Sequence, residues 1–138
     1  MSQEEKSLLL KDLCSRLPYG VQILADLDKE FDGGVIGTLK VINLKKDWVE
    51  LQSVITPFKF DEIKPYLRPM SSMTAEEKNE WQYLYLPIPH ENEATETQRR
   101  IDWLLEHHFD FCGLIEKGLA IEVTEENDPY DNPYENDF

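Results

Sequence analysis

The chain has 138 residues, of which 41% are hydrophobic and 30% charged, and a formal net charge of −14. That length favours one hydrophobic core with appended segments over two domains, and the apolar share is enough to offset chain entropy. The charge makes phosphate backbones poor partners, and no apolar stretch approaches the roughly eighteen residues that cross a bilayer, so neither nucleic acid nor membrane is expected.

Half of the net charge lies in the last seventeen residues, which carry seven acids and no base. Glu4 and Glu5 stand where a secretory signal carries basic residues, and the apolar run at 8–10 is too short for its hydrophobic region, which predicts a cytoplasmic protein. Two cysteines, Cys14 and Cys112, make no disulfide framework and are expected as free thiols.

Ser2 and Glu5 have the spacing of a capping box, and Leu10, Leu13, Cys14 and Leu17 recur at helical spacing until Pro18, predicting a helix over about 3–16 with Lys11, Asp12 and Ser15 on its solvated face. From Gly20 the period becomes two. Val21, Ile23, Ala25 and Leu27 alternate up to an acidic turn, and VIGTLKVINL and DWVELQSVI follow as two more β-rich runs joined by a polar turn at 43–47. With a fourth short strand at 58–60, the pattern predicts an antiparallel meander over about 20–60, able to close as a small SH3-like barrel.

The segment 63–73 holds Pro65 and Pro69, which excludes a helix interior and predicts an extended or single-turn crossing of the sheet. Thr74 with Glu77 opens a second helix to about Tyr85, ahead of Pro87 and Pro89. Thr95 with Gln98 caps a third, whose apolar face is Ile101, Leu104, Leu105 and His108. LAIEV, at 119–123, reads as an edge strand. The sequence thus predicts a single α+β domain over 1–123, β-rich at about 20–60 and helical at about 74–118. The acids, Asn, Pro and Tyr of 124–138 predict a disordered tail.

Three stretches, LLLKDLCSRLPYGV at 8–21, IKPYLRPMSSMTAEE at 63–77 and IDWLLEHHFDFCGLIEKGLAIEV at 101–123, together resemble a family of uncharacterised proteins recurrent in gut Bacteroidales and in their phages and mobile elements. The resemblance covers most of the chain up to about 123 and implies a bacterial or phage setting inside the cell. It implies no activity, cofactor or catalytic residue.

His107, His108, Asp110 and Cys112 form a cluster with metal-ligand chemistry, since imidazole, carboxylate and thiolate all coordinate zinc. Adjacent histidines on a helix diverge by about 100°, and no second Cys or His pair at finger spacing accompanies them; His90 lies apart. The alternative is that His108 closes the apolar face while Phe109 and Phe111 pack in the core. No Gly-x-Ser-x-Gly elbow is present, and Gly33, Gly34 and Gly37 lack the Lys-Ser/Thr of a phosphate loop. No catalytic residue and no cofactor is therefore assigned.

Tyr66, Arg68 and Met70, on the Pro-stiffened segment, have the composition of a partner-binding surface, or else glue the sheet to the helices. The sequence points first to a non-enzymatic protein-interaction or accessory module of phage or mobile-element origin with a protein partner, and sets no oligomeric state. The alternatives are a small hydrolase or metal-dependent enzyme centred on His107, His108 and Asp110, and an acidic mimic of nucleic acid that fills a basic protein groove.

Overall fold

A computed structural model describes residues 1–25 and 34–131. The Ser2 capping box forms as its spacing requires: Ser2 Oγ accepts from Glu5 N and Glu5 Oε1 from Ser2 N, both at 3.1 Å. Helix α1 runs Gln3–Arg16. Pro18 then allows only a single 3-10 turn, and Gly20 at φ 70° turns the chain into the sheet.

Strands β1 (Gln22–Ala25), β2 (Val35–Asn43), β3 (Trp48–Leu51) and β4 (Phe58–Lys59) make the expected antiparallel meander. Gly34 is required where β2 begins, because a Cβ there would lie 2.6 Å from the Ala25 carbonyl oxygen. The acidic turn expected at 28–34 falls, except for Gly34, outside the described residues. The meander does not close into a barrel. A 3-10 turn at Phe60–Glu62 carries the chain to the far edge of the meander, where β5 (Ile63–Pro69) pairs antiparallel with β1. The result is an open sheet of seven strands in the order β4-β3-β2-β1-β5-β6, with β7 also paired to β5.

Segment 63–69 is thus a strand inside the sheet and not a crossing over it. Proline, which lacks an N–H, is normally confined to strand edges. Here β5 meets three neighbours in succession, so none needs a long run of its donors. Ile63, Lys64 and Pro65 face β1, Tyr66 and Leu67 pair in parallel with β7 (Ile121–Glu122), and Arg68 and Pro69 with β6 (Phe109–Asp110).

Helix α2 (Ala75–Tyr83) has the Thr74–Glu77 capping box. Helix α3 (Glu93–Glu106) starts earlier than its sequence suggests, because Asn92 is the cap: its Oδ1 accepts from Thr95 N at 2.9 Å and from the Thr95 hydroxyl at 3.0 Å. It also stops before His108, whose φ of 62° is left-handed. Among the described residues no helix is long and apolar enough to cross a membrane.

The main core packs Leu9 and Leu13 of α1 against Ile23, Leu39, Val49, Leu51, Phe58 and Ile63 of the sheet. A smaller cluster joins α2 and α3 to β6 through Trp103, Leu104 and Phe109, with Trp81 and Met73 against them. The Trp81 and Trp103 ring centroids are 5.4 Å apart, and those of Trp103 and Phe109 5.8 Å.

Asp12 departs from its expected solvated position. It is buried and receives Arg16 in a two-pronged ion pair, Nε to Oδ2 at 2.6 Å and Nη2 to Oδ1 at 3.2 Å. Arg16 has no exposed surface, and its Nη2 also donates to the Phe109 carbonyl of β6 at 2.7 Å. The last part of the chain also differs from expectation. Through Asp131 it is described, and Tyr130 docks on the sheet: its hydroxyl donates to Tyr66 O at 2.7 Å and accepts from Gln22 N at 3.0 Å. The remainder of the predicted tail, 132–138, lies outside the described residues.

Removing one member of a buried ion pair strands the other charge. Arg16→Met is therefore expected to lower unfolding free energy by about 3–5 kcal/mol, and Arg16→Met combined with Asp12→Leu to recover most of that loss. Urea denaturation of the three proteins checks it; a single variant as stable as the parent contradicts the burial of the pair.

Candidate functional site

The segment 107–112 follows α3 directly, and its backbone explains why the four candidate metal ligands do not converge. His107 caps the helix, with Nδ1 2.8 Å from Trp103 O and its ring stacked on Trp103 at 4.2 Å. His108 then takes a left-handed conformation and points elsewhere, its ring stacked on Tyr130 at 3.7 Å and 12°. Asp110 spends both carboxylate oxygens on the backbone, accepting from Leu114 N and Ile115 N at 2.9 Å each, so it organises the turn that returns the chain to β7.

Cys112 is exposed, and its thiol is raised, chiefly by desolvation with Asp12 adding to it, which works against a thiolate ligand or nucleophile. His90 sits exposed, at φ 72°, in the connection between α2 and α3. Among the described residues no three His, Cys, Asp or Glu side chains lie close enough together to hold a metal ion.

The partner-binding candidates separate as well. Tyr66 is buried. Arg68 grips Glu77 of α2 with two hydrogen bonds, Nη1 to Oε2 at 2.8 Å and Nη2 to Oε1 at 2.7 Å, while its guanidinium lies 4.3 Å from the centre of the Phe109 ring. That grip ties the sheet to α2, and the hydrogen bonds from Arg68 hold the Glu77 carboxyl down to about 2. Only Met70 of the three is an exposed side chain.

What the site does assemble is a junction of β1, β5 and β6 around Tyr130. Arg68, Glu106, His107, His108, Asp128, Tyr130 and Asp131 line an open cavity of about 450 Å³ there. Burial lowers the His108 imidazole to about 4, with the Arg16 guanidinium adding to the effect, so the ring is neutral at neutral pH. Burial raises the Tyr130 phenol, which stays a neutral donor to Tyr66. The signal for this site was present in the sequence as an aromatic inside an acidic run, but composition alone assigns it to the tail.

A second feature lies at 83–88, where Tyr83, Tyr85, Leu86 and Ile88 are all exposed. Its sequence signal, an apolar run closed by Pro87 and Pro89, was legible but reads as a helix end. Compared with protein-family models, with curated proteins and with solved structures, the chain has no significant match.

Two of these groups set successive pH windows, in both of which stability is lost as pH falls. His108 is lower in the fold than its ordinary 6.5, so the unfolded chain takes up that proton first and stability falls as pH drops from about 6.5 to about 4. Glu77 is lower than its ordinary 4.5, so its stabilisation is complete above that value and is lost as pH falls towards about 2. His108→Asn, which keeps a residue tolerant of positive φ, is expected to flatten the upper window, and Glu77→Gln the lower. Unfolding free energies across pH 2–8 check both assignments; a His108→Asn curve parallel to the parent between pH 4 and 6.5 contradicts the neutral buried imidazole.

Proposed function

We propose that the chain is a non-enzymatic protein-interaction module and that its contact surface is the connection between α2 and α3. The observation that carries this reading is the exposure of four large apolar side chains within six residues: Tyr83 at 68%, Tyr85 at 54%, Leu86 at 55% and Ile88 at 43%. Isolated exposed apolar residues are ordinary, whereas a contiguous group of them is the usual mark of an interaction surface.

This apolar lip at 83–88 is also held in place. Arg99 Nη2 and Arg100 Nε both donate to the Leu84 carbonyl, at 3.2 and 3.3 Å, and the Arg100 guanidinium stacks 4.0 Å from the Tyr85 ring centre. Pro87 and Pro89 restrict the backbone further. Tyrosine and arginine side by side are the residues enriched at protein interfaces, and a pre-ordered surface loses less entropy on binding.

The burial of Tyr66 and the engagement of Arg68 by Glu77 support moving the contact surface away from segment 66–70, while the employment of Asp110 on backbone amides weakens the hydrolase alternative. The Bacteroidales and phage resemblance supports an accessory role in such an element, within the cytoplasm.

A chain carrying both Tyr85→Asp and Leu86→Asp is expected to melt within a few degrees of the parent and to lose the host proteins that the immobilised parent retains. Ile55→Asp, which changes an isolated apolar residue that is 98% exposed, is the control and retains them. Retention unchanged in the double variant contradicts the proposal.

A further inference from the structure

Residues 124–131 hydrogen-bond to the body of the fold through a single side chain. Val123 N still donates to Leu67 O at 2.8 Å as β7 ends. Beyond it, the hydrogen bonds that 124–131 make among the described residues stay within 122–131, through Thr124, Asn127 and Asp128, apart from the two at the Tyr130 hydroxyl. Residues 124–127 are exposed.

The place that receives Tyr130 is built to recognise a phenol. Gln22 N of β1 donates to the hydroxyl and Tyr66 O of β5 accepts from it, so one atom bridges a donor and an acceptor of two neighbouring strands. The neutral His108 ring supplies the stacking face, and its Nδ1 is buried without a partner of its own. A phenylalanine in this position would lose both hydrogen bonds, and a site built to hydrogen-bond a hydroxyl discriminates strongly against the analogue that lacks it.

The flanking carboxylates stand beside the docked ring. Asp128 and Asp131 line the same cavity as Arg68, His107 and His108, with Glu106 the one acid contributed from α3. The sequence supplies the recognised pattern twice in succession, Asp128-Pro129-Tyr130-Asp131 followed by Asn132-Pro133-Tyr134-Glu135, both an Asx-Pro-Tyr-acid order.

We propose that this socket is a binding site for a Pro-Tyr segment flanked by carboxylates, occupied in the free chain by its own residues 128–131 as a removable plug. The plug leaves without breaking a ladder hydrogen bond, because its hydrogen bonds to the body are the two at the Tyr130 hydroxyl. As a tethered ligand it competes at an effective concentration on the order of millimolar, so an outside segment enters when it binds more tightly than that or is itself linked to the chain. This site is independent of the apolar lip at 83–88, and its test is unaffected by the fate of that reading.

The test empties the socket. Tyr130→Ala is expected to melt below the parent, with p-cresol at millimolar concentration restoring most of the loss and toluene, the same ring without the hydroxyl, restoring little. A synthetic peptide of residues 127–132, added to the 15N-labelled Tyr130→Ala chain, is expected to shift the Gln22 amide saturably, and the same peptide with phenylalanine in place of tyrosine to bind at least about tenfold more weakly. Should Tyr130→Ala not fold, Tyr130→Phe serves, since its ring lacks both hydrogen bonds and is displaced by the tyrosine peptide. Equal rescue by p-cresol and toluene, or no saturable shift of the Gln22 amide by the tyrosine peptide, overturns the proposal.

Discussion

The buried guanidinium of Arg16 is the constraint around which the molecule is arranged. A charge without access to water must be surrounded by acceptors, and Arg16 finds them in two elements far apart in sequence: Asp12 one turn earlier on α1 and the Phe109 carbonyl on β6. The Phe111 ring, centred 5.4 Å from the guanidinium carbon, closes another side. Burial pushes the Asp12 carboxyl up and Arg16 opposes that shift, so the ion pair stands against a real desolvation penalty. Nη1 remains buried without a partner, a further cost that the geometry of the other two nitrogens has to offset.

Once α1 and β6 are tied together, the mosaic around β5 follows. The Arg68 amide donates to His108 O at 2.8 Å just before β6, and the Phe109 ring meets both the Arg68 guanidinium, at 4.3 Å, and the Trp103 ring, at 5.8 Å. Two strand residues at 109–110 are too few to hold a sheet edge by ladder bonds alone. They are held by Arg16 beneath, by Asp110 capping the following turn, and by Trp103 and Phe109 packing the helical pair onto the sheet. The short β6 therefore joins the smaller, helical cluster to the sheet through Phe109 and its pairing with β5.

Local signals in the sequence were legible where the chemistry is local. The Ser2–Glu5 and Thr74–Glu77 boxes need only a spacing of three, and both form. The alternation of Val21, Ile23 and Ala25 gave the strand face because the period of two is a property of the backbone. Barrel closure was not legible, since it depends on where β5 pairs, and the two prolines argued against placing that segment inside a sheet at all. Asp12 and Arg16 show an i,i+4 spacing that is more often a solvated pair, and nothing in the sequence distinguishes a buried one. The ligand-like cluster at 107–112 failed for a conformational reason: a left-handed residue at 108 turns adjacent side chains to opposite surroundings. Tyr130 was hidden by its neighbours, whose acidity describes the surface of the segment and not the one ring that docks.

Native-state hydrogen exchange on the Arg16 Nη2 protons and the Arg68 amide tests the organising role of the buried arginine most directly, because Nη2 donates to Phe109 O of β6 and the Arg68 amide to His108 O, so both report the α1–β6–β5 connection and neither is a backbone helix or meander hydrogen bond. The account predicts that they exchange only through global unfolding, with the same protection free energy and denaturant dependence as core amides such as those of Leu39 and Val49. Exchange through a local opening that leaves the meander protected would contradict the claim that the buried arginine organises the fold.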